Sequence, residues 1–245
     1  KTVMGKTLAD NRVRDKLKGL IAFAIPLHIR DVLEAIQTYR LIIVLKARQI
    51  YITWSLAGVA LHGALFQEGS NTILLSKGEM EAGEMLDYSR FMYSQLPPYL
   101  KLEMKHDQSS LLDFPAAYSK IRALPATRAA GVGFGGASRI IADEFDFHEK
   151  AEDNYSEIKP MIDAGGQFII VSAVNKFAQN TKFKEIWHRA RHNREWRVRE
   201  KGRAWLQDGV GENNFYPIFI PYNVLPERTE QWYEEQKKEY DKFEL

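Results

Sequence analysis

Residues 41–58, LIIVLKARQIYITWSLAG, decide the fold because they join a buried-strand pattern to a helical pattern through a short polar turn. The apolar run from Leu41 to Leu45 has the length and β-branched content of a buried parallel strand. Thr53 to Gln67 predicts a helix. A strand, a tight turn and a helix N-terminus are the setting in which backbone N–H groups bind a phosphate. The stretch therefore has the form of a phosphate-binding loop.

The turn departs from the usual phosphate-loop signature, G-x-x-x-x-G-K followed by Ser or Thr, at two positions. Ile52 precedes Thr53, where the signature has lysine, and Tyr51 occupies the place of the second glycine. The pattern alone leaves open which residue supplies the positive charge that a phosphate requires.

The composition of the chain limits the classes of protein to which it can belong. With 245 residues and a mass of 28.3 kDa, it has the size of one domain with a small appendage. The absence of cysteine excludes disulfides and thiolate metal sites. No apolar run reaches membrane-spanning length, so we expect no membrane partner.

Strand and helix patterns alternate over most of the chain, which predicts an α/β fold with a mainly parallel sheet flanked by helices. Helices are expected at 11–24, 31–39, 53–67, 79–95, 155–163, 182–191 and from 229 onward, and strands at 41–45, 71–76, 109–114, 118–124, 139–142 and 167–172. The alternation stops near residue 205. We therefore expect a core with N-terminal helices at 1–204 and a small C-terminal helical subdomain or linker at 205–245.

The segment RIIADEFDFHEK, residues 139–150, places Asp143 and Glu144 directly after an apolar strand. In a parallel sheet this position is the carboxyl edge, where ligands bind. In nucleotide hydrolases with this pattern, the aspartate holds Mg²⁺ through water and the glutamate activates the attacking water. The alternatives are an acidic turn, or a nuclease-type metal site that uses Asp143, Asp146 and His148.

A second polar strand end follows in QFIIVSAVNK, residues 167–176. Ser172 ends the strand and Asn175 follows three residues later, where the pair could act as a polar sensor beside a γ-phosphate. The alternative is an ordinary strand end followed by a turn.

The order and spacing of these motifs resemble those of additional-strand (ASCE) P-loop ATPases and, more narrowly, of the ATPase domain of the large terminase subunit of tailed phages. The resemblance covers roughly residues 26–240. It rests on LKARQIYITW, NTILLSKGEMEAGEMLDYSRFMYSQLP, SKIRALPAT, RIIADEFDF, GGQFIIVSAVNK and EQWYEEQKKEYD.

The resemblance implies a role for each position of the loop. Some terminases carry the lysine ahead of an A-R-Q triplet, so Lys46 would replace the missing lysine, and its long stem could carry the ammonium along the loop. Thr53 and Asp143 would be the Mg²⁺-side residues, and Glu144 the catalytic base. The nucleotide-binding residues would be Lys46, Ala47, Arg48, Gln49, Ile50, Tyr51, Ile52, Thr53 and Trp54, with Arg48 and Gln49 near the γ-phosphate.

The function implied by the resemblance is an ATP-driven motor that translocates double-stranded DNA into a procapsid, with ATP and Mg²⁺ as cofactors. Its expected partners are the portal protein, the small terminase subunit and further copies of the chain in a ring, expected to be a pentamer, in the host cytoplasm. Arg128 would act on a neighbouring site as an arginine finger, with Arg122 and Arg139 as alternatives. A nuclease domain is expected outside this sequence.

Three other functions remain open at this point: a helicase-like ATPase, a metal-dependent nuclease, and an inactive nucleotide-binding scaffold. The stretch 182–203 carries nine Lys or Arg residues against three Glu, which could track a DNA backbone or form a solvated outer face.

Overall fold

The computed structural model describes residues 12–15, 19–23, 25–126, 136–191, 195–197 and 200–239. These residues form eleven strands and six α-helices. The strands are β1 Arg12–Asp15, β2 Gly19–Ala22, β3 Leu41–Lys46, β4 Asn71–Ser76, β5 His106–Gln108, β6 Leu111–Phe114, β7 Ser119–Pro125, β8 Arg139–Ala142, β9 Gln167–Ser172, β10 Trp205–Leu206 and β11 Tyr216–Ile220. The helices are α1 Leu27–Thr38, α2 Ile52–Phe66, α3 Glu79–Gln95, α4 Ala151–Asp163, α5 Lys182–Arg191 and α6 Glu230–Glu239. Across these ranges, no helix combines the length and apolarity needed to cross a membrane.

Nine strands form one sheet in the order β10-β11-β3-β9-β8-β4-β7-β6-β5. The six central strands, from β11 to β7, are parallel, and both ends of the sheet are antiparallel. The strands at the centre of the sheet, β3, β9 and β8, are mainly apolar, as expected where helices cover both faces of a parallel sheet. The expected α/β fold with a mainly parallel sheet is confirmed.

Strand β9 lies between β3 and β8, so the strand that follows the Asp-Glu pair in sequence is inserted beside the strand that leads into the turn before α2. Leu45 of β3 is paired with Ser172 of β9, and Ala142 of β8 with Ile170. Parallel strands end at the same edge of a sheet. The residues that follow β3, β8 and β9 are therefore brought together, and this edge contains the candidate site.

Helix α2 is apolar on every side, and twelve of its fifteen residues are buried. A helix of this composition is stable only when other elements surround it. The Trp54 ring stacks on Tyr88 of α3 with centroids 4.0 Å apart, and the Ser89 hydroxyl donates to the Ala57 carbonyl at 2.9 Å. These contacts fix the N-terminus of α2, and with it the turn that precedes it.

The helix expected at residues 11–24 is wrong for the residues that the structure describes. Arg12–Asp15 and Gly19–Ala22 are antiparallel strands, with Val13 paired to Ile21. Gly19 takes a φ of 71°, which ends any helix and begins the second strand. The Gln95 side chain of α3 also bonds the Arg12 backbone N–H at 3.1 Å and its carbonyl at 3.2 Å. A tertiary contact with α3 thus supports an extended backbone here.

The main sheet continues past the boundary that the sequence predicts at residue 205. Strand β11 is parallel to β3, with Ile220 paired to Lys46, and β10 is antiparallel to β11. The sequence suggests a boundary here because the alternation of strand and helix patterns stops near residue 205, yet the apolar segment that follows extends the same sheet. Of the described elements after β11, only a 3₁₀ turn at Tyr222–Val224 and α6 lie outside it.

Candidate nucleotide-binding site

The turn between β3 and α2 takes the backbone conformation that the signature usually obtains from glycine. Gln49 has a φ of 57°, and Tyr51, the N-cap of α2, has a φ of 63°. The left-handed region costs a residue with a side chain about 1–2 kcal/mol. Tyr51 therefore replaces the glycine in position and in conformation, and the cost must be offset by contacts elsewhere.

Four successive carbonyls of this turn accept hydrogen bonds from side chains. Arg228 donates to the Arg48 carbonyl at 2.7 Å and to the Gln49 carbonyl at 3.1 Å. His28 of α1 bonds the Ile50 carbonyl through Nε2 at 3.1 Å, and the Ser55 hydroxyl donates to the Tyr51 carbonyl at 2.9 Å. The turn is held from α1, from α2 and from the segment before α6.

His28 is fully buried and acts as a donor in this arrangement. A carbonyl only accepts, so Nε2 carries the proton. Burial lowers the pKa of His28 despite the opposing effects of the Ile50 carbonyl and of Asp31. The imidazole is therefore neutral at pH 7, and it fixes the turn without adding charge to it.

Lys46 ends β3 with its ammonium at the site. Its Nζ lies 2.8 Å from Oε1 of Glu144, and only 6% of its side chain is exposed. Burial opposes the charged form, but the carboxylates of Asp143 and Glu144 together raise the pKa of Lys46. The structure thus places a protonated amine beside the strand end that carries the Asp-Glu pair.

Asp143 and Thr53 meet across the same edge. The Thr53 hydroxyl donates to Oδ2 of Asp143 at 2.7 Å, and the Glu144 backbone N–H donates to Oδ1 at 3.0 Å. Burial raises the pKa of Asp143, and the Lys46 ammonium opposes that rise. One hydroxyl and one carboxylate in contact are a donor set that suits Mg²⁺, which takes few protein ligands and completes its shell with water and phosphate.

Glu144 follows Asp143 with a φ of 52°, which turns the chain sharply after β8. Its Oε1 contacts Lys46, and its Oε2 lies 3.4 Å from the Ala173 N–H that follows β9. With 28% of its side chain exposed, this carboxylate remains accessible to a water molecule. His148 also fixes this turn, because its Nε2 bonds the Asp143 carbonyl at 2.9 Å. Burial lowers the pKa of His148 to about 4.

Asp146 holds the chain that follows β9. Its fully buried carboxylate accepts the Asn175 N–H at 2.6 Å and the Thr181 hydroxyl, and Lys184 lies 3.6 Å away. Its own N–H donates to Oγ of Ser172 at 3.0 Å. Asp146 therefore connects the Asp-Glu turn to residues 172–184.

The nuclease-type metal cluster of Asp143, Asp146 and His148 does not form. Strand β8 ends at Ala142, Asp146 is committed to the donors after β9, and His148 bonds a backbone carbonyl. Within the described ranges, no group of three His, Cys, Asp or Glu side chains is arranged to hold a metal.

Ser172 lies beneath the site rather than at its surface. Its fully buried hydroxyl accepts from Asp146 N–H and donates to the Ala173 carbonyl at 2.7 Å. Both bonds are to backbone groups, so the hydroxyl is not positioned to contact a phosphate, whereas Asn175 is half-buried.

The residues of the predicted nucleotide-binding loop differ in which of their groups can reach a ligand. The side chains of Ile50, Ile52 and Trp54 are buried in the core, so only their backbone groups can reach a ligand. The Ala47 N–H donates to the Ile220 carbonyl at 2.9 Å, so this N–H is engaged within the sheet, and the assignment of Ala47 to the nucleotide site stays a prediction. The side chains of Arg48 and Gln49 are exposed.

Of the three arginines considered as a finger, Arg128 lies outside the described residues. Arg139 begins β8, at the opposite end of that strand from Asp143, and its Nε donates to Oε1 of Gln167 at 2.6 Å. Arg122 lies within β7. Neither of these two lies in the turn that carries Glu144.

Most of the described cations in the basic stretch 182–203 have intramolecular partners. Lys182 is paired with Glu152 and Glu185, Arg203 binds the buried Asp31, and the Arg191 guanidinium lies 4.2 Å from the Trp196 ring centroid. These contacts favour a structural role for much of the stretch over a track for DNA.

The residues missed by the sequence reasoning share one property: their contacts are distant in sequence and leave no local pattern. Arg228 is 180 positions from Arg48, and His28 is 22 from Ile50. Asp146 enters the sequence analysis only as part of the alternative nuclease-type metal site, not as the residue that holds the chain after β9.

The chain was compared with known families, curated proteins and solved structures. No family model matches, and no curated protein matches. The ATPase domain of the large terminase of Thermus phage P74-26 superposes with a TM-score of 0.66 at 16% identity, covering 89% of this chain and 90% of that one. The chain shares the fold of this terminase ATPase domain.

Two longer terminase chains have a similar fold. The large terminase of bacteriophage HK97 matches with a TM-score of 0.57 at 15% identity, over 76% of this chain and 40% of that one. That of a thermophilic bacteriophage, described as a complex with ADP, matches with a TM-score of 0.55 at 9% identity, over 84% of this chain and 46% of that one. The present chain corresponds to less than half of each of these two proteins.

Proposed function

We propose that this chain is the Mg²⁺-dependent ATP-hydrolysing motor domain of a viral DNA-packaging terminase. The observation that carries the proposal is the convergence of Lys46, Thr53, Asp143 and Glu144 at one sheet edge, beside an αL turn that opens a buried helix. The fold of terminase ATPase domains and the ADP named for one structural neighbour support it.

The residues at this edge have separate roles in the proposed reaction. The turn before α2 and the Lys46 ammonium bind the phosphates, since charge-assisted hydrogen bonds to phosphate are among the stronger polar contacts. Thr53 and Asp143 would hold Mg²⁺, which supplies charge neutralisation at the phosphates when bound. Glu144 orients the attacking water and accepts its proton as the new P–O bond forms and ADP leaves.

The ion pair between Lys46 and Glu144 defines what must change when ATP binds. An ammonium that lies 2.8 Å from Oε1 of Glu144 occupies that carboxylate oxygen, so the oxygen is not free to contact a water molecule. An arriving triphosphate offers Lys46 a more highly charged partner. Its transfer from Glu144 to the phosphates frees Glu144 as a base only when substrate is present.

The wider assignment follows the terminase likeness and is part of the same proposal. The motor would translocate double-stranded DNA into a procapsid, docked on a portal protein, with the small terminase subunit as a partner. Copies of the chain would form a ring, a pentamer, in the host cytoplasm, with Arg128 completing a neighbour's site. Arginine fingers increase phosphoryl-transfer rates by about 10³–10⁵ in related systems.

The inactive-scaffold alternative is disfavoured by the turn itself. It arises from Tyr51 and Ile52 in place of glycine and lysine, yet Tyr51 already takes the αL conformation and Lys46 already brings an ammonium to Glu144.

The test is phosphate release from Mg-ATP by the wild type, Glu144→Gln and Glu149→Gln. Glu149 is an exposed glutamate of the same segment and serves as the matched control. We expect Glu144→Gln to lose about 10²–10⁴-fold in turnover while it still binds ATP, because general-base catalysis contributes that much. Equal turnover of the two variants, or plasmid nicking that depends on Asp143, would overturn the proposal.

A further inference from the structure

Arg228 connects the segment before α6 to the turn that precedes α2. Its Nη1 donates to the Arg48 carbonyl at 2.7 Å and its Nη2 to the Gln49 carbonyl at 3.1 Å. The guanidinium thus spans two consecutive peptide units with two donors. The second of these carbonyls belongs to Gln49, which has a φ of 57°.

These two bonds determine where the neighbouring N–H groups point. In a trans peptide, the carbonyl and the following N–H point in opposite directions. With the carbonyls of Arg48 and Gln49 bound to Arg228, the N–H groups of Gln49 and Ile50 point away from it. Neither N–H makes a backbone hydrogen bond to any described residue. Successive N–H groups that point the same way in a turn and lack backbone partners can form an anion-binding concavity.

Among the described residues, the adjacent Glu227 acts on the charge of Arg228 without forming an ion pair with it. Arg228 forms no salt bridge with any carboxylate of the described ranges; its guanidinium lies 5.0 Å from the Trp232 ring centroid. Burial lowers the pKa of Arg228, but an arginine remains protonated at neutral pH. The turn therefore has a permanent positive charge behind it, where its sequence lacks the usual lysine.

Arg228 is itself held in place by its own segment. Its N–H donates to the Leu225 carbonyl at 3.0 Å, and Thr229 caps the start of α6 by accepting the Trp232 N–H at 3.2 Å. Tyr222 stacks on Tyr233 with centroids 4.6 Å apart. The position of the guanidinium is thus coupled to the packing of residues 222–233.

We propose that Arg228 is a positioning residue for phosphate binding, and that nucleotide binding in turn favours docking of the segment 225–239 onto the turn. This inference rests on the proposed nucleotide site and adds a residue and a coupling to it. The two effects are reciprocal, because a contact that favours nucleotide binding is favoured by the bound nucleotide to the same extent.

The first test compares ATP and ADP affinities of the wild type, Arg228→Ala, Arg228→Lys and Lys237→Ala in the presence of Mg²⁺. Lys237 lies on α6, is paired with Glu234 and does not touch the turn, so it is the matched control. We expect about a tenfold loss of affinity for Arg228→Ala and a smaller loss for Arg228→Lys, which keeps the charge but not the two-pronged geometry. Lys237→Ala should bind like the wild type.

Two further readouts separate positioning from a general structural effect. In steady-state hydrolysis, Arg228→Ala should raise KM and change kcat by less than about twofold, because a loop held for phosphate binding acts in ground state and transition state alike. Amide hydrogen exchange of residues 225–239 should slow on addition of Mg-ADP in the wild type and in Lys237→Ala, and stay unchanged in Arg228→Ala. Arg228→Lys provides a second variant if the alanine variant fails to fold.

The outcomes distinguish this inference from the proposed function. If the wild type binds no nucleotide, both fail. If the wild type binds ATP and Arg228→Ala binds it equally well, the inference alone is overturned. A fall in kcat with KM unchanged would also overturn it, since that result would place Arg228 in the chemical step.

Discussion

Replacement of Lys46 by methionine tests the ion pair at the centre of the site. Methionine keeps most of the apolar stem and removes the ammonium that lies 2.8 Å from Glu144. The side chain of Lys46 is 6% exposed and that of Glu144 is 28% exposed, so the pair is only partly screened by water. The change also removes a positive charge from the neighbourhood of the buried Asp143.

The expected loss follows from these exposures. A hydrogen bond between charged groups contributes about 1.5–3 kcal/mol, and removal of one partner of a fully buried pair costs about 3–5 kcal/mol. Because Glu144 keeps some contact with water, we expect Lys46→Met to lower the free energy of unfolding by about 2 kcal/mol at pH 7 without nucleotide. Glu144→Gln should lose about 1 kcal/mol, and the double variant less than the sum of the two.

The assay is urea unfolding of these variants with and without Mg-ATP, with Lys159→Met as the control. Lys159 forms an exposed pair with Asp163 on α4, and such pairs contribute about 0–1 kcal/mol. At an ATP concentration 100 times its Kd, the wild type should gain about 2.7 kcal/mol, and Lys46→Met much less. The reasoning is refuted if Lys46→Met is as stable as Lys159→Met, or if ATP stabilises it as much as the wild type.

Two further predictions concern the supports of the site. Asp146→Asn removes the charge that accepts the Asn175 N–H and the Thr181 hydroxyl, so we expect the free energy of unfolding in urea to fall by about 2–3 kcal/mol and turnover to fall more than ATP affinity. The exposed Asp153→Asn is the control and should be unchanged. Equal stability of these two variants would contradict the prediction. His28→Gln keeps a donor for the Ile50 carbonyl but does not titrate. Because burial lowers the folded-state pKa of His28 below 6.5, the wild type should lose stability as the pH falls below 6.5, and the variant should lose less. Urea unfolding of both proteins over the same series of pH values checks this prediction.

The buried elements could be predicted from the sequence because their patterns are local. The bounds of β4, α3, β8, β9 and α5 agree with the expectation residue for residue. The strands are continuous apolar runs, and Pro97-Pro98 gives α3 a clear end. The hairpin of β1 and β2 could not be predicted in this way, because its apolar residues also fit a helical period and Gln95 of α3 decides between the two.

The same distinction between local patterns and contacts that are distant in sequence applies to the site. The turn before α2 and the Asp-Glu pair after β8 each have a recognisable local pattern, and the parallel sheet brings them together through the register of β3, β9 and β8. The supports of the turn have no such pattern. His28 is a single residue in α1, and Arg228 is a single residue before α6. Their partners are backbone carbonyls, which carry no sequence signal.

These supports explain how the turn tolerates residues that the signature excludes. Gln49 and Tyr51 in the left-handed region cost about 2–4 kcal/mol together. The bonds from His28 and Ser55 contribute about 1 kcal/mol each, and the two from the partly exposed Arg228 about 1 kcal/mol each, which offsets that cost. In the usual phosphate loop, glycine avoids the cost within the loop itself. Here the conformation depends on α1, α2 and the segment before α6, so substitutions of His28, Ser55 or Arg228 should alter phosphate binding even though these side chains contact only carbonyls of the turn.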